Sequence, residues 1–189
     1  MSNALVGIIA EDDSDVECVK HFVRRIHTNK RIGFKKFVGQ GCGKISRKAN
    51  AWAKIFKMQG CTAIILLHDL DRNKHADLYK KLSEAFLPSP IRKYIISIPV
   101  EELESWLLSD ENAFNSVFNI NKTKYLPKHP ETVPSPKEYI AKLVRSETNK
   151  KIDYLNTRHN SKLAEQIDFH EMRTKCPSSI PFMDFVKTI

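Results

Sequence analysis

From Cys18 to His68 the chain contains no aspartate and no glutamate, while Lys20, Arg24, Arg25, Lys30, Arg31, Lys35, Lys36, Lys44, Arg47, Lys48, Lys54 and Lys57 all fall inside that stretch. A segment with one sign of charge cannot neutralise itself locally, so it points to a polyanionic partner or to a solvated basic face. Other absences narrow the class. No apolar run approaches the roughly 20 residues that a membrane span requires, and the N-terminus has no signal-peptide pattern, so neither membrane insertion nor secretion is expected. The four cysteines, Cys18, Cys42, Cys61 and Cys176, form no C-x-x-C pair, which argues against a zinc module and a disulfide framework and for reduced thiols in the cytoplasm. There is no internal repeat and no low-complexity tract.

What is present is a basic chain of 189 residues with a formal charge of +9. That length is enough for one full domain with a small appendage. Apolar runs at Leu5–Ala10, Ile32–Val38, Thr62–Leu67 and Lys93–Val100 read as strands. Between them, Ser14–Ile26, Ile45–Met58 and Ala76–Phe86 carry apolar residues at helical spacing. Strands alternating with helices at these intervals predict parallel βαβ units. After Val100 the pattern turns to helices and loops. Glu101–Asp110 is the clearest helix, continued through Ala113–Phe118. Four prolines make Asn119–Pro136 a connecting loop, and Lys137–Arg145, Ser161–Arg173 and Phe182–Thr188 are short helices. The expected organisation is an α/β domain over residues 1–118, with a mostly parallel four-strand sheet flanked by helices, and a helical C-terminal extension over 119–189 packing on it.

In an open parallel sheet, ligands bind beyond the carboxyl ends of the strands, and the notable polar clusters all fall there. Asp69 and Asp71 follow the third strand, and the i, i+2 spacing of an extended chain would turn both carboxylates toward one point. Such a pair repels itself unless a cation lies between, and Mg²⁺, or Mn²⁺ in its place, is the hard ion that oxygen ligands suit. Glu11 follows the first strand. It precedes Ser14, the expected helix cap, so capping does not account for it and it is free for acid/base chemistry or the metal shell. Asp12 and Asp13 read instead as helix-capping acids; Asp15 lies in the same first turn. Glu104 shares a helical stripe with Glu101 and would look toward the same metal, although a first-turn glutamate also complements the helix dipole.

Other residues carry weaker signals. Gly39 to Lys44 could present amides and an ammonium to a phosphate, but it lacks the Walker A spacing, and a plain loop explains it equally. Lys44, Arg47 and Lys48 are candidate nucleic-acid contacts in the acid-free segment. Lys162, beside His159 in a basic stretch of the C-terminal helices, is another, with a solvated face as the plainer explanation. Trp106 shares an apolar face with Leu103 and Leu107 and reads as core, and His68 as a core or rim histidine.

The acids after strand one, the D-x-D after strand three and the β/α order between them resemble the Toprim (topoisomerase-primase) domain over about residues 5–110. Nearer still are small stand-alone Toprim-like proteins of bacteria, of the OLD (overcoming lysogenization defect) nuclease type, often encoded beside ATPases in defence clusters. Their E-G-x-S-D start, D-x-D and E-x-E-x-W-L-L-x-D helix are matched by Glu11–Asp15, Asp69–Asp71 and Glu102–Asp110, and Cys176-Pro177-Ser178-Ser179 is similar to their tail. The resemblance implies Glu11 as acid/base, Asp69 and Asp71 as metal ligands, and Asp15 as the extra acid of OLD-type nucleases. It implies a Mg²⁺-dependent endonuclease acting on nucleic acid, DNA rather than RNA, in anti-phage defence, with any ATPase a separate partner. The alternative is a non-catalytic regulatory or nucleic-acid-binding subunit of an ATPase-containing complex. A topoisomerase or primase is disfavoured by the absence of a tyrosine domain and of a zinc module. One departure stands out: Asp12 occupies a position where such proteins have glycine, which would strain the turn if it needs a positive φ.

Overall fold

A computed structural model describes residues 4–39 and 42–189 of the chain. Strands β1 (Ala4–Ala10), β2 (Ile32–Val38), β3 (Ala63–Leu67) and β4 (Tyr94–Ser97) form one sheet in the order β2-β1-β3-β4, and every pairing is parallel. The connections are helices α1 (Asp13–Ile26), α2 (Cys42–Met58) and α3 (His75–Phe86). The molecule is thus an α/β protein with a Rossmann-like, all-parallel sheet, as the alternating periodicity predicts.

Strand β3 is buried at all five positions, the mark of a strand covered on both faces. Its odd and even residues serve different cores. Ala63, Ile65 and Leu67, with Val6, Ile8 and Ala10 of β1, meet Val16, Val19, Phe22 and Val23 of α1. Ile64 and Leu66, with Ile9, meet Ile45, Trp52 and Phe56 of α2 and Leu78, Leu82 and Phe86 of α3. Gly7 admits the close approach of α2: a Cβ built there would stand 2.4 Å from Phe56 Cδ2.

Helices α4 (Glu104–Leu107), α5 (Glu111–Phe118), α6 (Pro136–Glu147), α7 (Asn156–Gln166), α8 (Phe169–Lys175) and α9 (Ser179–Lys187) follow, with a 3₁₀ turn at Pro130–Thr132. They join α1 on its face of the sheet, where Trp106, Phe114, Phe118, Ile140, Leu163, Met172 and Phe182 enter the core cluster of β1 and β3. Trp106 is fully buried, and its indole N–H donates to Ser178 Oγ at 2.8 Å.

Several local expectations differ. The helix anticipated over Glu101–Asp110 shrinks to one turn, because Glu101 takes a left-handed φ of +59° and Asp110 ends the run by capping α5, accepting from Asn112 N and Ala113 N. Ser161–Arg173 is two helices, since Asp168 caps α8 through His170 N and Glu171 N. Helix α2 begins at Cys42, so Gly43 and Lys44 are helical and not loop; Gln40 and Gly41, the middle of the glycine-rich stretch, lie outside the described residues.

The Gly7 contact yields a test. Gly7→Ala is expected to lower stability by about 1–3 kcal/mol through overpacking against Phe56, read as a lower urea midpoint at unchanged slope. Phe56→Leu in the same chain should recover part of the loss. An unshifted midpoint in Gly7→Ala would show that α2 does not need the glycine.

Candidate active site

Because β1 lies between β2 and β3, its following helix crosses to one face of the sheet and the helices that follow β2 and β3 cross to the other. The carboxyl ends of β1 and β3 therefore flank the switch point at which open α/β sheets bind ligands. Glu11 leaves β1 there, and His68, Asp69 and Asp71 leave β3.

Helix α1 starts at this point, and its start answers the question raised by Asp12. The backbone at Asp12 is extended, with φ −138° and ψ 175°, so no glycine is required. Asp12, and not Ser14, is the cap. Its Oδ1 accepts from Asp15 N at 3.0 Å, and Asp15 Oδ2 accepts from Asp12 N at 3.3 Å, a reciprocal capping box. This box fixes Asp15 at the base of the crevice, where it is 5% exposed. Asp13 points to solvent and pairs with Lys36 at 2.5 Å.

The aspartates after β3 part company. The strand ends at Leu67, and the chain runs on beside the segment after β4 through His68 N to Ser97 O at 3.1 Å, Leu70 N to Pro99 O at 3.0 Å and Asp71 N to Glu101 O at 2.8 Å. Asp71 turns left-handed at φ +49° and is exposed. Asp69 turns inward, where Leu103 N donates to its Oδ1 at 2.9 Å. The simple i, i+2 geometry of an extended chain is thus broken: Asp69 belongs to the interior of the crevice and Asp71 to its outer rim.

Glu104, the first residue of α4, is 4% exposed, and its Oε1 accepts from Asn160 Nδ2 at 3.0 Å and from Tyr154 OH at 3.3 Å. The Asn160 amide also donates to Ser14 Oγ at 2.9 Å, and its carbonyl oxygen accepts from Tyr154 OH. Glu101 does not share this face. The other acids of the Glu102–Asp110 run are structural: Glu102 Oε2 accepts from Lys137 N at 2.7 Å, and Asp110 Oδ2 accepts from Asp168 N at 2.7 Å while its Oδ1 caps α5.

Burial is the largest influence on the titration of Asp69, Asp15 and Glu11. It pushes Asp69 well above the usual carboxylate range, helped by the charges of Asp15, Glu104 and Glu11. It does the same to Asp15, with Asp12, Glu104 and Glu11 adding to it. Glu11 is raised by burial too, and Asp71 and Asp12 add to that, while His68 opposes it. Among the described residues no Lys or Arg forms an ion pair with Glu11, Asp15, Asp69, Asp71 or Glu104. His68 Nε2 stands 3.4 Å from Glu11 Oε1. Its Nδ1 is 2.8 Å from the Asp69 carbonyl oxygen, which can only accept, so Nδ1 carries a proton and Nε2 is left to face Glu11. Glu11 thus has an imidazole nitrogen close to its carboxylate, an arrangement compatible with acid/base chemistry at Glu11.

The donor set is all oxygen and anionic, which fits a hard divalent cation. The side chains stand apart, however: among the described residues no three His, Cys, Asp or Glu form a group that could hold an ion as they are. Mutual repulsion of uncompensated carboxylates acts in that direction.

The candidate phosphate contacts lie outside this cluster. Lys44 is half-buried in the first turn of α2, Arg47 and Lys48 are exposed one turn on, and Arg47 Nε donates to Gly43 O at 3.0 Å. Lys162 is exposed on α7 next to Ser161, whose hydroxyl meets His21 Nε2 in the middle of α1 at 2.9 Å, and so it sits away from the rim. His159 is no surface contact: it is buried against Phe118 and Tyr154, and its Nδ1 lies 2.9 Å from Leu155 N. Tyr154, Asn160 and Ser14 were not legible as site residues, because no local pattern announces a tyrosine or amide that reaches an acid some fifty positions away in the chain.

Fold and crevice together define an α/β protein with uncompensated carboxylates at the switch point of a doubly wound sheet. The chain belongs to the family described as a domain of unknown function, DUF4276, whose pattern matches residues 10–188. No curated protein and no solved structure is significantly similar to it. No helix among the described residues is long and apolar enough to cross a membrane.

The raised carboxyls carry a pH signature. Folding makes each of them hold its proton more tightly, so each favours the folded state below its unfolded pKa of about 4, and that contribution is lost as pH rises through the folded value. In metal-free buffer Asp69→Asn should therefore gain on the wild type as pH is raised from about 4, the unfolded carboxylate value, by a few degrees in melting temperature. A melting difference that does not move with pH would mean that Asp69 titrates ordinarily.

Proposed function

We propose that the chain is a Toprim-type, Mg²⁺-dependent nuclease that cuts or nicks nucleic acid, DNA rather than RNA, in the cytoplasm as an effector of bacterial anti-phage defence. The observation that supports this most is the grouping of the buried Asp15 and Glu104 with the half-buried Asp69, none of them ion-paired to a Lys or Arg among the described residues, beside Glu11 at the switch point. Uncompensated buried acids destabilise a fold, and a site that accepts that cost is a candidate for function. Asp69, Asp15 and Glu104 would hold the ion, with Asp71 completing the set from the rim. A bound Mg²⁺ supplies Lewis acidity toward the phosphodiester and a more acidic water.

The chain's own groups do the rest. Glu11, with its raised pKa and His68 at its back, accepts the proton from the attacking water or returns one to the leaving oxygen. Tyr154 and Asn160 aim Glu104 into the crevice through hydrogen bonds from the helical extension. Lys44, Arg47 and Lys48, on a helix whose first turn has no acid, attract the phosphate backbone. An energy-using step would have to come from a separate ATPase.

Purified protein should cleave plasmid or oligonucleotide substrates in Mg²⁺ or Mn²⁺ and not in EDTA. Asp69→Asn should abolish the activity, and Glu11→Gln should lower it by about 10²–10⁴-fold. Equal cleavage by the wild type and Asp69→Asn would refute the nuclease. Binding that persists in EDTA, with no cleavage under any metal, would instead identify a nucleic-acid-binding subunit.

A further inference from the structure

Two cavities adjoin at the rim. One, of about 410 Å³, is lined by Asp71, Arg72, Glu101 and Glu102 and reaches Ser135. The other, of about 470 Å³, begins at the same Ser135 and is lined by Val133, Pro134, Tyr139 and Lys142, with Glu138 as its acidic member. Ser135 is left-handed at φ +51°, precedes the first turn of α6, and is the residue the two share. The next turn is tied to the acid rim by the bond from Lys137 N to Glu102. The acid rim and the apolar hollow thus meet at Ser135, and the hollow is of the size that takes a small organic group.

The surroundings of the hollow are basic and aromatic. Lys122, Lys124 and Lys128 in the preceding loop and Lys137, Lys142 and Arg145 on α6 are exposed, and none of them is ion-paired among the described residues. Of the acids in this stretch, Glu131 accepts from Ser178 N at 2.9 Å and Glu147 from Lys124 N at 3.3 Å, so these two are engaged with the backbone, while Glu138 is exposed. Tyr139, which lines the hollow, donates its hydroxyl to the backbone carbonyl of Tyr125 and so ties the main chain at Tyr125 to the hollow's wall. Tyr125 is 67% exposed, far more than a ring with only a packing role needs.

We infer that this groove, from Ser135 to Tyr139 and Lys142 with Tyr125 beside it, binds an unpaired nucleotide of a single strand adjacent to the carboxylate site. An apolar hollow edged by lysines takes a base and the phosphates on either side of it, and the exposed ring of Tyr125 gives a base a stacking surface. Duplex bases already stack on one another and cannot offer a face, so the groove selects single strands. The inference rests on the nuclease reading for what happens at the neighbouring acids, but the binding itself does not require cleavage.

The two can be separated by measuring binding in EDTA, where metal-dependent cutting is off, with short fluorescent single-stranded DNA, its RNA counterpart and the matching DNA duplex at low salt. At least one single strand should bind about tenfold more tightly than the duplex. Tyr125→Ala and Lys142→Ala should each weaken it by about 5- to 20-fold, and Lys142→Ala should also reduce the dependence of binding on salt by about 0.7 in log–log slope, one phosphate contact on a single strand. Lys80→Ala, an exposed change on α3, should bind as the wild type does. No single-strand binding, equal binding of the duplex, or unaltered binding by both groove variants would each overturn the groove. If those variants fail to bind and the wild type still does not cleave in Mg²⁺, the groove stands and the nuclease reading falls. Cleavage lost in Asp69→Asn but normal in the groove variants gives the reverse.

Discussion

Strand β1 sits between β2 and β3, and the chain must leave it on one face of the sheet and return on the other. That reversal opens the carboxyl edge at one place only, between the ends of β1 and β3. Every acid that matters is delivered there by a different constraint: Glu11 by the end of β1, Asp15 by the capping box of α1, Asp69 by the bond from Leu103 N, and Glu104 by the first turn of α4. If β1 were an edge strand, these segments would not meet. The two cores depend on the same placement, because both faces of β1 and β3 have to be covered before α1 and α2 can be fixed.

The helical extension is part of this arrangement and not an ornament on it. Tyr154 and Asn160 come from residues far along the chain, yet they supply the hydrogen bonds that hold Glu104. Ser178, nearer still to the end, accepts from both Trp106 Nε1 and Val100 N, which locks the α4 turn against the segment that follows β4. The site is thus assembled from the two ends of the sequence around a sheet built early in it.

Much of this was legible in the sequence for a simple reason. Strand and helix periodicities are local, so the four strands and the three crossover helices could be read within a few residues, and parallel order followed from their alternation. Acids that follow apolar strands are also local signals, which is how Glu11, Asp69 and Asp71 could be named. The misreadings came where side chains competed with periodicity. Asp110 and Asp168 cut helices short by capping the next one, and the cap of α1 is Asp12, one of the acids read as capping, and not Ser14. The divergence of Asp69 and Asp71 depends on a left-handed turn at a non-glycine residue, which no spacing rule foresees. Tyr154, Asn160 and the groove at Ser135 arise only from tertiary contact.

Asn160 shows how narrow the tolerance of such a site can be. Its amide nitrogen donates to Ser14 and Glu104 while its oxygen accepts from Tyr154, so the group is used from both ends and cannot be turned round. Aspartate has nearly the same shape, but it would remove both donors and set another negative charge against Glu104. In mutational terms the position is a cliff on the inner face of α7: outward neighbours such as Lys162 and Glu165 face solvent and can drift, whereas the exchange of a single amide for its acid would unseat a carboxylate on a different helix.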